Sequence, residues 1–557
     1  MKHFILKTLS LALIAVVFTS CNGWKELAKD YYTVTPDPLE VNGGKVSFDI
    51  NAQIPAQVFK KTYALKITPE LVYGSSSTAL PAVTYQGENF PGNNTVIPYD
   101  EGKAVTYSAS TPYKPEMEKC TLVARLTGLK GKKAKELGTI ELAKGVITTA
   151  LSVKDEYLPS YAPSEFVRDT DTYQSGLVHF LVNSAYVRPA QLKTAGYKAL
   201  CDFVKMAVKD TSLVITGVEF IGHASPEGEA TLNENLSIDR AKAVEKYFQK
   251  VIEKAQVAGW GNSGFYTEKG EGADWDGFFE LLANSSISDK DMIKRTLDGE
   301  PLLSTKEKTL KSLESTYGDI HDKILPELRR TEIRVKYTIK GRTDEQIHTL
   351  AIKEPNVLTA NELIYAAEAL ATSEDEQIAI LKNAIKVYPN DYRGYNNMGV
   401  ALWDKGDREA AINAFGEAAA KSQNDITANN TAVARLVKGD VAGAKAALAK
   451  SNADEAAYNK GIIAIMEGDY KTAAQNMNDL PSYDTALAQL LAGDNAAAIQ
   501  TLNALGEEDA QVLYLKAVAY ARGGQNAKAK ETLAKAAAID PTLSVKAQND
   551  MEFRNLK

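Results

Sequence analysis

The chain contains 557 residues, with 64 basic and 71 acidic side chains and a net charge of −7 at pH 7. At about 150 residues per domain this length predicts three to four domains, and the mildly acidic balance, without a Lys/Arg tract, excludes nucleic acid as an expected partner. Beyond Cys21 the cysteines are Cys120 and Cys201, and neither belongs to a Cys-x-x-Cys or Cys/His cluster, so we expect buried free thiols and no disulfide framework, metal site or other cofactor.

Residues 1–20 have the layout of a secretory signal peptide, with lysines flanking an apolar run that is shorter than the about 20 residues of a membrane span. Small residues directly before Cys21 resemble the bacterial lipobox. The resemblance implies that Cys21 becomes lipidated and that residues 21–32 form a tether; the alternative is an ordinary signal peptide that happens to contain a cysteine. Asn22 is not the aspartate of inner-membrane retention, which favours the outer membrane, on its periplasmic face or exposed at the surface.

Residues 33–149 contain short runs in which apolar and polar side chains alternate, for example Lys45–Ile50 and Thr121–Arg125, separated by turn residues. Period-two alternation with turns at this spacing predicts an antiparallel β-sandwich. A domain of this kind serves either as a spacer or as a recognition module, and the sequence leaves both open.

Residues 150–171 are marked by proline and weakly periodic, and we expect a linker there. From 172 to 340 strand and helix patterns alternate, including a strand over Leu213–Ile221 and a long helix that ends near Ala258. This alternation predicts an α+β domain with helices packed on a sheet.

The segment Gly222–Gly228 and the helix after it carry the most specific pattern in the chain. Arg240 lies on the same helical stripe as Val244 and other apolar residues, so we expect it to point inward. A buried guanidinium requires a compensating partner. That partner is either an internal carboxylate, such as Glu227 or Asp239, or a ligand carboxylate held bidentately.

The residues in this region match, in register, the OmpA-like peptidoglycan-binding domain, whose signature runs Gly-His-Thr-Asp, a loop ending in Gly, and Asn-x-x-Leu-Ser-x-x-Arg-Ala. Leu328–Ile333 resembles the closing Asn-Arg-Arg-Val-Glu-Ile strand of the same family, so the resemblance covers about residues 172–340. The matching positions of the signature are Gly222, His223, Gly228, Asn233, Leu236, Ser237, Arg240 and Ala241.

This resemblance implies binding of peptidoglycan through its diaminopimelate-containing peptide, which an aspartate and the helix arginine grip in the family. Arg240 matches the arginine, whereas Ser225 stands at the aspartate position and Leu328 at that of the closing asparagine. Glu227, two residues on, offers a substitute carboxylate, and we hypothesise that Glu227 and Arg240 form a charge pair around a zwitterionic ligand. The candidate ligand-binding residues are Arg240, Glu227, Ser225, Asn233, Arg329 and Arg330.

Residues 273–328 form an insertion that is longer than the family connection and has helical patterns of its own, beginning near Trp275, Asp291 and Lys306. The insertion either caps the site or binds a partner. His223, a lone histidine at the start of the loop, is expected to be a packing residue rather than a proton-transfer group.

After a second linker at 341–358, residues 359–542 are alanine-rich and self-similar, and residues 543–557 form a tail. The match of Tyr395 to Ala418 with the tetratricopeptide spacing of large and small residues indicates a tetratricopeptide-like all-α solenoid. We expect the groove of such an array to bind a protein segment; the alternative is that the array is a purely architectural arm. Gly-Asp or Gly-Gln turns recur at intervals of 33, 29, 25 and 31 residues, at Gly406, Gly439, Gly468, Gly493 and Gly524.

The sequence therefore predicts a multidomain, non-enzymatic protein, because it contains no catalytic triad, metal cluster, phosphate loop or plausible carboxylate pair. The first hypothesis is an outer-membrane lipoprotein that tethers the membrane to peptidoglycan and scaffolds a protein partner through its repeats. The second is an accessory lipoprotein of an outer-membrane assembly, secretion or surface-fibre system whose OmpA-like domain does not bind peptidoglycan. An enzyme is the third and weakest.

Overall fold

The structure, a computed structural model, describes residues 24, 27–154, 156–300, 302–313, 316–506 and 509–556, so the signal peptide and the lipidation predicted at Cys21 lie outside the described residues. The chain forms two compact units. One lies within Met1–Pro163 and Tyr388–Lys557, and the other within Ser164–Val387. The first holds a β-sandwich together with helical repeats, and the second holds an α+β domain.

The sandwich consists of two sheets. Its strands are β1 (Tyr32–Thr35), β2 (Leu39–Asn42), β3 (Lys45–Ile54), β4 (Tyr63–Tyr73), β5 (Ser76–Ala79), β6 (Val83–Gln86), β7 (Thr95–Val96), β8 (Lys103–Pro112), β9 (Thr121–Lys130), β10 (Lys133–Lys144) and β11 (Val146–Ile147). One sheet has the order β1-β3-β2-β11, with β8 also paired to β3. The other has the order β10-β9-β4-β6-β7, with β5 also paired to β4.

Strand β3 shows why the sequence pattern predicts this fold. Its ten side chains alternate strictly between exposed and buried, as a strand with one face on a core requires. The sandwich prediction is confirmed, although two short pairings, β2 with β11 and β6 with β7, are parallel. Cys120 lies in the core as a free thiol, and burial raises its pKa to about 11.

The second unit is built on one four-stranded sheet with the order β12-β15-β13-β14 and two helices. Strands β13 and β14 are parallel, and the helix between them makes the crossover, while β15 runs antiparallel to both of its neighbours. The α+β prediction is therefore confirmed. The elements are β12 (Thr170–His179), α1 (Ala195–Ala207), β13 (Leu213–Ala224), α2 (Ala230–Ala255), β14 (Tyr266–Ala273) and β15 (Arg330–Ile339).

Helix α2 lies unusually close to the sheet at Gly222. A Cβ atom at this position would lie 1.9 Å from the carbonyl oxygen of Ser237, so a side chain cannot be accommodated without moving the helix. The buried stripe of α2 contains Arg240, Val244 and Phe248, as the helical periodicity predicts. Close packing thus brings Arg240 against the end of β13.

The insertion between β14 and β15 folds around a small core of its own that includes Phe278, Ile293 and Leu328. The three helices expected from the sequence are present, and two short ones follow them. The insertion helices are α3 (Trp275–Asn284), α4 (Lys290–Asp298), α5 (Leu303–Lys311), α6 (Tyr317–Lys323) and α7 (Leu325–Leu328).

The region 341–358, expected to be a linker, contains helix α8 (Asp344–Lys353), which begins at a capping box formed by Thr343 and Gln346. Helices α9 (Ala360–Tyr365) and α10 (Glu374–Val387) complete the second unit. The first helix pair of the expected 359–542 array therefore belongs to this unit by its contacts.

The helical array of the first unit comprises five helix pairs and a final helix within the described residues. Each pair has two consecutive helices joined by a tight turn, and the helical-repeat prediction is confirmed. No helix within the described ranges has both the length and the apolar run that a membrane span requires. The helices are α11 (Tyr392–Asp404), α12 (Arg408–Lys421), α13 (Asp425–Val437), α14 (Val441–Leu448), α15 (Asp454–Glu467), α16 (Tyr470–Asn476), α17 (Tyr483–Leu491), α18 (Asn495–Ala504), α19 (Ala510–Arg522), α20 (Asn526–Ile539) and α21 (Thr542–Asn549).

The recurring Gly-Asp dipeptides have a physical explanation in these turns. Gly406 has φ +87°, the left-handed conformation in which glycine avoids the cost of a side chain. The next residue, Asp407, caps α12 by accepting a hydrogen bond from the backbone N–H of Ala410 over 3.1 Å. The same combination occurs at Gly439, Gly468 and Gly493 with the aspartates that follow them.

The C-terminal residues, expected to be a tail, are an ordered part of the first unit. Glu552 is 9% exposed and pairs with Arg522 of α19 at 2.6 Å, and it also contacts Thr149 beyond the last strand of the sandwich. Tyr470 of α16 donates a hydrogen bond to the carbonyl oxygen of Val41 over 3.3 Å. The sandwich and the helical array therefore share an interface, and the tail helps to close it.

Candidate functional site

The loop that follows β13 brings three of the predicted ligand-binding residues into one hydrogen-bonded group. Arg329 donates from Nη2 and Nε to Glu227 Oε1 over 2.8 and 3.1 Å, and Ser225 Oγ donates to the same oxygen over 2.8 Å. The side chains of Arg329 and Glu227 are only 8% and 13% exposed, so each compensates the buried charge of the other. Glu227 is thus paired with Arg329 rather than with Arg240.

Arg240 is 1% exposed and has internal partners of a different kind. Burial lowers its pKa to about 10, with the charge of Arg329 adding to the effect and that of Glu227 opposing it, so it stays charged at neutral pH. Its guanidinium lies 5.2 Å from the centre of the Phe180 ring. Its hydrogen-bond acceptors are backbone carbonyl oxygens, those of Leu181 at 3.1 Å, Ser184 at 3.0 Å and His223 at 2.8 Å.

Asn233 holds the loop against helix α2. Its Nδ2 donates to the carbonyl oxygens of Gly228 and Ser225 over 2.8 and 3.2 Å, and the side chain is buried. Satisfying two carbonyl oxygens of a buried loop stabilises one loop conformation. Asn233 is therefore a residue that shapes the site.

Arg330 lies on the other side of the strand and pairs with Asp274, which caps α3, at 2.7 Å. His223 Nδ1 lies 3.8 Å from the same carboxylate. Burial lowers the pKa of His223, the charge of Arg330 lowers it further and that of Asp274 opposes both, so the imidazole is neutral at neutral pH. A neutral, buried imidazole agrees with the packing role expected for His223.

The insertion lies against the loop. Burial raises the pKa of Tyr317 of α6. The negative charge of Glu227 raises it further, and the positive charge of Arg329 opposes the rise. Glu307 of α5 is buried with Oε1 lacking a hydrogen-bond partner, and its pKa is raised by burial and by Glu229, at the N-terminus of α2, with Lys311 opposing. These electrostatic effects place α5 and α6 of the insertion near the loop.

Two further observations concern chemistry. Within the described residues there is no group of three or more His, Cys, Asp or Glu side chains arranged to hold a metal ion. Glu245 of α2 and Glu268 of β14 form a carboxyl pair that the sequence did not reveal, in which burial and the hydrogen bond with Glu268 raise the pKa of Glu245 to about 7. Glu268 is exposed, so this pair lies at the solvent surface.

A second site, in the first unit, was not anticipated from the sequence. Residues 153–154 and 156–163, expected to be part of a linker, lie along the first helices of the repeat pairs; we call them the bound segment. Backbone N–H groups of Lys154 and of three alternate residues farther along donate to side chains of these helices. The donors and acceptors are Ala162 to Asn397 Oδ1 at 2.8 Å, Ser160 to Asn430 Oδ1 at 2.6 Å, Leu158 to Asn459 Oδ1 at 3.0 Å and Lys154 to Asp484 Oδ1 at 2.9 Å.

The asparagine side chains also donate back to the bound segment. Nδ2 of Asn397 donates to the carbonyl oxygen of Ala162, and Nδ2 of Asn430 donates to that of Ser160, each over 2.8 Å. An amide that both donates to and accepts from one residue recognises backbone rather than side chain. Contact at every second residue is the period of an extended chain.

The same side chains connect one repeat to the next. Asn430 Nδ2 donates to Asn396 Oδ1 over 2.8 Å, and Asn459 Nδ2 donates to Asn429 Oδ1 over 2.9 Å. All four asparagines are fully buried. We call the connected set the amide ladder, formed by Asn396, Asn397, Asn429, Asn430, Asn459 and Asp484.

The bound segment fits the ladder closely. Ser160 and Ala162 are 1% and 0% exposed, and Tyr157 belongs to the apolar core of the array. Pro159 lies between two ladder contacts and Pro163 directly follows the last one, at positions where the missing N–H costs nothing and the ring favours an extended backbone.

A sequence signal for the ladder exists in hindsight. Asn397, Asn430, Asn459 and Asp484 each lie nine residues before the glycine of the turn in the same repeat. They therefore repeat with the same unequal intervals of 33, 29 and 25 residues as the turn glycines do. These polar residues recur in register with the structural repeat and lie on the buried side of their helices. Such a pattern indicates that they bind one common ligand, since residues that only face solvent need not recur in this way.

No family model and no curated protein matches the chain. Several solved structures of helical-repeat proteins resemble it over a little more than a third of its length. PilW, a widely conserved type IV pilus biogenesis factor, is 16% identical, with 35% of this chain and 94% of that chain covered and a TM-score of 0.28. YrrB, a TPR protein with an unusual peptide-binding site, is 18% identical, with coverage of 37% and 99% and a TM-score of 0.22.

A tetratricopeptide repeat protein from Parabacteroides merdae ATCC 43184 is 15% identical, with 37% of this chain and 91% of that chain covered and a TM-score of 0.27. The function proposed below rests on this chain's own residues.

The environment of Asp484 generates a prediction about pH. Burial raises its pKa to about 6, with the N–H of Lys154 opposing. A raised pKa in the folded state adds stability that is complete below the unfolded value of about 4 and is lost as pH rises through about 6. The variant Asp484→Asn makes this position like its three counterparts. We expect it to raise the free energy of unfolding near pH 7.5 by up to about 2–3 kcal/mol, and the melting temperature with it, and to change both little near pH 4.

Thermal unfolding followed by far-UV circular dichroism at both pH values provides the measurement. Asp494→Asn is the matched control, because Asp494 is an exposed helix cap and asparagine caps equally well. Equal effects of Asp484→Asn at the two pH values would show that the buried charge does not set the stability.

Proposed function

We propose that this protein is a non-enzymatic, lipid-anchored scaffold of the outer membrane that binds a protein partner through its helical repeats, and that its OmpA-like domain does not bind peptidoglycan. The observation that carries the proposal is the amide ladder. It holds the bound segment through backbone groups, which is the chemistry of polypeptide binding.

The second part of the proposal follows from the closed state of the loop. A wall peptide would need a free carboxylate for its ammonium group and a free guanidinium for its carboxylate. Glu227 is instead bound by Arg329 and Ser225, and Arg240 by three carbonyl oxygens. A ligand could enter only if these buried pairs were broken. Each charge would then bear its desolvation cost without the partner that now compensates it.

Among the hypotheses drawn from the sequence, the accessory lipoprotein of an assembly, secretion or surface-fibre system therefore has more support than the tether to peptidoglycan. The resemblance of residues 222–241 and 328–333 to the peptidoglycan-binding family supports an OmpA-like fold for the domain. The replacement of the family aspartate by Ser225 supports a different use of that fold.

The first test concerns the anchor. We expect Cys21→Ser to release the protein from the membrane fraction and to abolish its labelling with palmitate, because the acyl chains supply nearly all of the membrane affinity. Cys201→Ser is the control, since Cys201 is a half-buried thiol of α1 and should leave both properties unchanged. Membrane retention of the Cys21→Ser protein would contradict the proposed anchor.

The second test concerns the cell wall. We expect the purified protein not to sediment with intact peptidoglycan sacculi. We expect Arg240→Ala to lower its stability by about 2–4 kcal/mol, because three buried carbonyl oxygens lose their donor. Sedimentation of the wild-type protein that is lost in Glu227→Gln would overturn this part of the proposal and favour the tether.

The third test concerns the partner. A photo-crosslinking residue at Val437 or Ile539, both exposed on the repeats, is expected to capture one and the same protein in cells. The same residue at Val96, exposed on the sandwich, is the control and should not capture it. The absence of any adduct from the array positions would favour a passive arm.

A further inference from the structure

The amide ladder is a polypeptide-binding site whose occupant in this structure belongs to the same chain. Its direct contacts with the bound segment at Leu158, Ser160 and Ala162 involve backbone N–H and carbonyl groups. Backbone groups are common to all polypeptides, so these contacts would form with any extended segment in the same register.

The side-chain requirements of the site are narrow. Positions 160 and 162 are completely enclosed and hold Ser and Ala. Ser160 Oγ donates to Glu455 over 2.5 Å and accepts from Asn429 Nδ2 over 2.9 Å, whereas Ala162 makes no use of its side chain beyond filling space. A ligand for this site therefore carries small residues two positions apart, the first of them preferably a serine, in an extended, proline-flanked segment.

We propose that an extended partner segment of this kind binds the amide ladder by displacing residues 153–163, which act as a built-in competitor. The inference rests on the proposed function, because it names the partner class for the repeat array. A covalently attached occupant competes at an effective concentration in the millimolar range, so it keeps weak ligands out. Segments that bind more tightly, or that are attached to a larger docked partner, replace it.

The experiment uses the purified full chain and a fluorescent peptide with the sequence of residues 153–163. The double variant Ser160→Pro/Ala162→Pro removes the two N–H groups that donate to Asn430 and Asn397 and so releases the attached segment from the ladder. We expect this variant to bind the peptide at least about tenfold more tightly than the wild-type protein does. Addition of Asn430→Ala to the double variant should abolish the gain.

Ala162→Gly is the control, because it keeps both N–H groups and removes a side chain that only fills space, and it should bind the peptide as weakly as the wild-type protein. A peptide with Leu at the positions of Ser160 and Ala162 should not bind the released variant. Equal binding of the native peptide to the released and wild-type proteins would overturn the inference.

Hydrogen exchange of the wild-type protein gives a second measurement that does not depend on a variant. The amides of Leu158, Ser160 and Ala162 should exchange faster than that of Leu487 in the core of α17, because segment release requires less free energy than unfolding of the array. If these three amides exchanged as slowly as that of Leu487, the bound segment would be a permanent part of the fold, and the inference would be overturned. The proposed function would survive that result if the crosslinks at Val437 or Ile539 are obtained.

Discussion

The pairing of backbone amides in residues 153–163 with the buried amide ladder is the interaction on which the first unit depends. A buried asparagine without partners costs more free energy than a satisfied one contributes, so an occupant of the ladder stabilises the array. The bound segment satisfies Asn397 and Asn430 directly, and the links Asn430 to Asn396 and Asn459 to Asn429 carry the network across the repeats. The stretch between the sandwich and the α+β domain is therefore part of the array's core.

The second unit shows how the same physical rule can close a binding loop. Arg240 is at a position that the family resemblance brings to the ligand, and Glu227 lies two residues after the position of the family aspartate. Both charges are already compensated, that of Arg240 by carbonyl oxygens and that of Glu227 by Arg329. In the insertion, Leu328 directly precedes Arg329 and is fully buried, and the pKa of Tyr317 responds to the charges of Glu227 and Arg329. The charges of this loop are therefore satisfied within the unit itself.

The two units also differ in what they offer a partner. The loop of the α+β domain presents charges that are paired with groups of the same unit, whereas the array presents a site that already holds a polypeptide. Asp484 is the exception within the ladder, because a carboxylate at a buried position is easier to protonate than one in water, and its pKa of about 6 reflects this.

Local patterns in the sequence were sufficient for the element types. Alternation in β3, the apolar stripe of α2 and the Gly-Asp turns each follow from one period or one backbone conformation, and the structure contains all three. The pairing of Glu227 with Arg329, the carbonyl partners of Arg240 and the burial of the bound segment join positions 17 to 330 residues apart. Only the tertiary structure decided these contacts, because the energy of a buried polar group depends on which partner the fold brings to it, and that partner leaves no local pattern.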